Sequence, residues 1–206
     1  MPSAHPILIE APVPICTPRL LIRPKQPGDG AASVAAVVET WEDLHRWMQW
    51  AERLEEFTVE QQEARCHRNV ASFNLREEFN FLGIALATEQ PVIWCSLYDL
   101  DWTNRQCHTG YWVRRSAQGK GIATEAANAL VRYAFGALGM RRVGLTHSLG
   151  NEASRRIAEK LGFSSEGIQQ AASVLPGGRV TDRCCYARFD TTGLPDLKVS
   201  WGKSTT

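Results

Sequence analysis

Gln118-Gly119-Lys120-Gly121-Ile122-Ala123 lies between an apolar run, Thr109-Gly110-Tyr111-Trp112-Val113, and a stretch where Ile122, Ala126, Ala129, Leu130, Tyr133 and Ala137 recur at helical spacing. The first flank reads as a strand and the second as a helix. Two glycines at a strand-to-helix junction permit a tight turn and put no Cβ in the way of a close ligand. The first N–H groups of a helix have no internal acceptor, and the helix dipole adds partial positive charge there. Such a junction suits a phosphate or pyrophosphate. A nucleotide-like cofactor is therefore the first expectation.

Spacing separates the known cradles. A P-loop needs four residues between its first Gly and Gly-Lys-Ser/Thr, which Gly119-Lys120-Gly121-Ile122 does not supply. A dinucleotide fingerprint needs glycine where Thr124 stands and an acidic residue about 20 positions on; the chain has Thr146, His147 and Ser148 there. The acyl-coenzyme A motif Gln/Arg-x-x-Gly-x-Gly/Ala is met at every fixed position by Gln118, Gly121 and Ala123. On this hexapeptide alone, an ordinary glycine turn before a core helix stays open.

Downstream, Arg141–His147 reads as a strand after a helix stop at Gly139. Asn151-Glu152-Ala153-Ser154-Arg155-Arg156-Ile157-Ala158-Glu159-Lys160-Leu161-Gly162-Phe163 follows, with Asn151 as N-cap, Ile157 and Leu161 as an apolar pair, and Gly162 as the stop. The whole of Gly110–Gly167 resembles the GNAT superfamily, and within it the RimJ/RimL-type ribosomal-protein N-terminal acetyltransferases. The likeness is carried by Gly-Tyr-Trp before the loop, Ala-Thr-Glu-Ala-Ala in the helix, and Asn-x-x-Ser before Glu-Lys-Leu-Gly-Phe. Thr17-Pro18-Arg19-Leu20-Leu21-Ile22-Arg23-Pro24 and Leu44–Ala51 extend it to roughly residues 17–190.

The resemblance implies an α+β fold, a mostly antiparallel mixed sheet flanked by helices. It also implies direct attack of an amine on acetyl-CoA, with no metal. Cofactor contacts then fall on Val113, Gln118, Gly119, Lys120, Gly121, Ile122, Ala123, Asn151 and Ser154. A backbone N–H near Val113 is the expected oxyanion donor. Ser154 stands where RimL-like enzymes protonate the thiolate; the alternative is a hydroxyl bonded to its own helix turn. His108 replaces a glutamate common in the group and is the candidate base, or else a strand histidine satisfied by a neighbour. Asp99 and Asp101 are fallback bases, although turn aspartates usually serve turn geometry.

Histidine, with a reference pKa of about 6.5, accepts a proton near neutrality. Neutralising an α-amine of pKa near 8 costs only about 1.4 kcal/mol at pH 7, against about 4.6 kcal/mol for a lysine amine. A weak base is thus easier to reconcile with an α-amine. A noncatalytic coenzyme A-binding module is the alternative from a different class.

Composition bounds the rest. At 206 residues and 44% hydrophobic, the chain can bury one core. Twenty-three basic against 22 acidic residues give no electrostatic support to bulk nucleic-acid or membrane binding. Arg114, Arg115 and Lys120 bracket the loop, a placement that favours a small polyanion. Six cysteines form no CxxC pair and read as reduced thiols. With no signal peptide or membrane-length apolar run, a cytoplasmic monomer or homodimer is expected.

Coarsely, Arg19–Pro24 is a first strand, helices follow near 30–39 and 42–52, and Thr58-Val59-Glu60-Gln61 opens a helix to Arg76. Phe79–Ala87, Val92–Tyr98 and Gln106–Val113 read as strands, and Phe163–Val174 with Arg179–Phe189 as a hairpin. The domain is expected over 17–190, with extended tails at 1–16 and 191–206. Trp47 and Trp50, at helical i, i+3, either wall an acceptor cleft or belong to the core. Trp94 stands where the group often has glycine, which suggests a narrowed pocket.

Overall fold

A computed structural model describes residues 5–202. Its strands are β1 (Ile15–Cys16), β2 (Leu20–Pro24), β3 (Phe79–Ala85), β4 (Gln90–Asp101), β5 (Gln106–Val113), β6 (Arg142–Ser148), β7 (Ser164–Leu175), β8 (Arg179–Arg188) and β9 (Ser200–Trp201). The helices are α1 (Gly30–Trp47), α2 (Val59–Leu75), α3 (Ile122–Gly136) and α4 (Glu152–Lys160). One mixed sheet runs β7-β8-β6-β5-β4-β3-β2-β1-β9. The expected α+β layering is what the chain adopts.

The elements form for local reasons. Thr58 accepts a hydrogen bond from the Gln61 N–H and so opens α2. Gly121 (φ 77°) turns into α3, whose Ala126, Ala129, Leu130 and Tyr133 are fully buried against the sheet. Asn151 caps α4 through the Ser154 N–H, and Gly162 (φ 63°) follows its end. Against expectation, α1 is one 18-residue helix rather than two. Nothing between residues 39 and 42 breaks it, and Val37, Thr40 and Leu44 bury one continuous stripe. The helix stops at Trp47, so Trp50 lies beyond it and the two indoles share no helical face.

The chain ends read as tails, yet β1 pairs with both β2 and β9 at the sheet edge. The outermost parts of both expected tails, residues 1–4 and 203–206, lie outside the described residues. No described helix is long and apolar enough to cross a membrane.

The sheet's one parallel pairing positions the site. β5 and β6 pair at Gln106–Arg142, Cys107–Val143 and His108–Gly144, and no further. Beyond that vertex they splay. β5 stays on β4 through Val113, while β6 stays on β8 through Ser148. α3 packs on one face of the splayed strands; Ala36 of α1 packs on the other, with Leu82, Trp94 and Trp112.

Candidate active site

The splay opens a cleft of about 1600 Å³ that passes from one sheet face to the other. His108, Val113, Gln118, Gly119, Gly121, Ile122, Ala123, Asn151 and Ser154 all line it. Lys120 does not; its ammonium bonds the Ser116 carbonyl (2.8 Å) at the surface.

Along β5 the hydrogen bonds alternate. The Arg114 N–H reaches the Val92 carbonyl (2.9 Å), and the strands are in register at Trp94–Trp112. Alternation therefore turns the N–H groups of Thr109, Tyr111 and Val113 away from β4; that of Thr109 falls in the last parallel pairing with β6, and those of Tyr111 and Val113 face the gap. Among the described residues, the amide N–H groups of Gly119 through Ala123 have no acceptor; the first bond of the turn runs from Glu125 to the Gly121 carbonyl. With φ of 73° and 77°, Gly119 and Gly121 set the turn, and a Cβ at Gly119 would meet nothing within 4 Å. The loop thus presents free donors to open space, which fits a diphosphate.

The flanking arginines do not add to that field as expected. Arg114 bonds Glu39 of α1 (2.5 Å), and Arg115 bonds Glu42 (2.7 Å). Hydrogen bonds from Ser116 and Arg114 hold the Glu39 carboxyl down at about 2. Gln118 is likewise pinned, donating to Asp43 (3.1 Å) and to the Val113 carbonyl (3.2 Å). These charges lock the loop onto α1, and what the loop leaves open to an anion is its backbone amides.

Sequence reasoning assigned no role to a second lock. Glu125, nearly buried in the first turn of α3, accepts from Thr17 Oγ1 (2.6 Å), the Arg19 N–H (3.2 Å) and Arg19 Nε (2.5 Å). Arg19 in turn donates to the Lys120 carbonyl (2.8 Å). The available signal was a carboxylate on an otherwise apolar helical stripe.

Ser154 Oγ lies 3.3 Å from the Tyr111 hydroxyl. No bond from Ser154 Oγ to its own helix turn is present among the described residues. Burial pushes the Tyr111 phenol well above its ordinary range, so it stays protonated and can donate to or accept from Ser154.

His108 sits at the vertex of the splay. Its ring lies over Gly144, where a Cβ would come within 2.3 Å of Cδ2, and it stacks on Tyr98 at 5.6 Å. Among the described residues Nδ1 makes no hydrogen bond; it is buried, with Asp99 Oδ2 3.7 Å away at ion-pair distance. Burial lowers the His108 pKa, while Asp99 acts to raise it. A neutral imidazole aimed into the cleft can accept a proton. Asp99 itself occupies a bulge between β4 and β5 with φ 51°. Asp101 instead bonds Asn104 and Gln106 in the turn.

Cys95 lines the cleft, but burial pushes its thiol up to about 12, which disfavours a nucleophilic thiolate. All six cysteines are free. Trp94 stacks on Trp112 (4.3 Å, 5°) and donates to Ser33 Oγ (3.2 Å), filling that side of the cleft; Trp50 leans on Trp112 and Phe57.

Residues 19–164 match the acetyltransferase (GNAT) domain family. The Bacillus subtilis protein YdaF, named for ribosomal N-acetylation, is 31% identical over 152 residues, 72% of this chain and 79% of its own length. The ribosomal-protein-serine acetyltransferase of Escherichia coli is 32% identical over 86 residues, 42% of this chain and 48% of its own. Mycobacterium smegmatis RimJ, solved with a CoA disulfide, superposes with a TM-score of 0.79 over 90% of each chain at 22% identity. A RimL ribosomal-protein acetyltransferase solved with coenzyme A gives 0.78 over 85% of this chain and 96% of its own, also at 22%. At that identity the superpositions speak to the fold.

Proposed function

Because the chain belongs to the GNAT acetyltransferase family, we propose that its splayed cleft transfers an acetyl group from acetyl-CoA directly to a primary amine, with the catalytic work divided between His108 and Ser154. When bound, acetyl-CoA supplies the activated acyl group and a thiolate leaving group; the chain's own residues do the rest. The free amides of Gly119 through Ala123 hold the diphosphate at the start of α3. Val113 turns its N–H towards the gap, where it meets the oxygen on which charge develops. His108, neutral by burial, takes a proton from the acceptor amine directly or through one water. Ser154 delivers a proton to the departing sulfur, with Tyr111 holding its hydroxyl in place.

A single observation carries this reading: the parallel pairing stops at His108–Gly144, leaving the candidate base, the open strand edge and Ser154 around one cleft. The weak base favours a low-pKa acceptor such as an α-amine over a lysine side chain, and the sequence relatives named for ribosomal acetylation support a protein acceptor. We place the reaction in the cytoplasm.

The test is incubation with acetyl-CoA and a panel of amines and N-terminal peptides, following thiol release, with coenzyme A binding measured in parallel by calorimetry. Release stimulated by an α-amine is the expected result. Tight coenzyme A binding with no stimulated release would favour a noncatalytic binding module instead.

A further inference from the structure

On the sheet face opposite α3, paired residues form rows across the strands. The Lys25 N–H donates to the Asn80 carbonyl (2.9 Å), Asn80 pairs with Ser96, and Ser96 with Gly110. Leu82, Trp94 and Trp112 form the row on one side; Tyr98 and His108 form the row on the other. Gly110 has no side chain and Ser96 a short one, so the middle row is the floor of a trough, overhung by the Tyr98 ring at Gly110 and crossed by the Asn80–Asn69 hydrogen bond (3.1 Å) before Lys25. It starts at the open edge of β5 and ends at Lys25. Three strand spacings of about 4.8 Å put these Cα atoms about 14 Å apart.

The far end of this trough is basic and incompletely satisfied. Lys25 is 7% exposed, yet no carboxylate among the described residues lies within ion-pair distance of its ammonium. The nearby acids are committed elsewhere. Asp29 is gripped by both terminal nitrogens of Arg23 (2.7 and 2.8 Å), and Glu63 accepts from the N–H groups of Gly28 (2.5 Å) and Gly30 (3.1 Å). Gln62 is 3% exposed and its Nε2 has no acceptor. Gln62, Arg65 and Asn69 recur at i, i+3 and i+7 on α2 and so share a face. Arg65 and Arg68 are exposed and enter no ion pair among the described residues. All of these line the cleft that holds His108 and Ser154.

Carboxylates stand along the Tyr98–His108 flank instead: Asp99 is 3.7 Å from His108, and Glu78 precedes the Phe79–Leu97 pair on the β3 side of Tyr98. An ammonium on a nearly buried lysine, open only to the cleft and without a paired counter-ion, is poorly solvated, and an incoming anion relieves that cost. Burial holds the Lys25 pKa below the ordinary lysine range, with Asp29 and Glu63 acting to raise it and Arg65 to lower it.

We propose that the Lys25–Gln62–Arg65 end of the trough binds a carboxylate of the acceptor, and that the acceptor is a peptide with an acidic side chain near its N-terminus. Resting on the acetyl-transfer reading, this names the substrate class of the same site. An extended chain covers about 3.4 Å per residue, so an amine placed at Gly110 puts the acidic residue at about the third to fifth position. A free amino acid, whose carboxylate adjoins its amine, cannot span the distance.

The test compares two peptides that differ only by Asp or Asn at the fourth position, at fixed ionic strength. Calorimetry on the protein saturated with coenzyme A reads binding without turnover; thiol release with acetyl-CoA reads kcat/KM. The wild type is expected to favour the Asp peptide by about tenfold in both readouts. Lys25→Met should bring that ratio close to one. Arg68→Gln, at an exposed position that does not endanger folding, should reduce it by about threefold. Equal affinities in the wild type, or a ratio that survives both replacements, would overturn the subsite. Thiol release indifferent to the acidic residue would also sink the subsite while sparing acetyl transfer. Acid-selective binding without stimulated release from any amine would do the reverse.

Discussion

The two halves of β5 share one strand and behave differently. Gln106–His108 is held on both sides, by β4 and by β6, and Cys107 within it is fully buried. Gly110–Val113 keeps β4 but has lost β6, and the outward amides of Tyr111 and Val113 face a cleft. In the first half the backbone's hydrogen-bonding capacity is spent on the fold; in the second, alternate groups are left for something else. The change comes at His108–Gly144, where the candidate base stands with its ring over a glycine. A site therefore begins where pairing stops.

Breaking the open half should have the largest effect. Gly121→Asp sets a carboxylate beside the free amides and a side chain at φ 77°, and should weaken coenzyme A binding by about a hundredfold or more in calorimetry. Unchanged affinity would detach the loop from the site.

Ser154→Ala should come next, lowering kcat by about a hundredfold while the KM for acetyl-CoA holds. A change in KM alone would make Ser154 a binding residue.

At the boundary, Gly144→Ala drives a Cβ into the His108 ring and should cost about 1–3 kcal/mol in chemical denaturation, with a fall in kcat. A variant as stable and active as the parent would show that the vertex yields easily.

Asp99→Asn should act most gently. Burial lowers the His108 pKa and Asp99 raises it, so removing the carboxylate lowers it further. Neutral histidine then persists to lower pH, and the acid limb of the kcat/KM profile should move down. His108→Ala should erase that limb; a profile unmoved by both would make the imidazole structural.

What the sequence disclosed follows how far each interaction reaches along the chain. The turn into α3, the Asn151 and Thr58 caps, and β5 itself are settled within a few neighbours, and their patterns are plain. The glycine pair pointed to free amides for the same reason. The splay was not legible, because it is a relation between β5 and β6, joined only through α3. Nor was the commitment of Arg114 and Arg115 to Glu39 and Glu42, some 75 residues away, or of Arg19 to Glu125 across 106. In α1 the expected break between residues 39 and 42 is absent because Thr40 is buried with Val37 and Leu44 in one stripe. β1 and β9, two residues each, are too short to show any period.

Those two short strands have a practical side. Ile15 faces Trp201 across the far edge of the sheet, five strands from β5, or about 24 Å at 4.8 Å per step. A fluorescent label on this pair would report on the sheet edge without entering the cleft, whose lining includes neither residue.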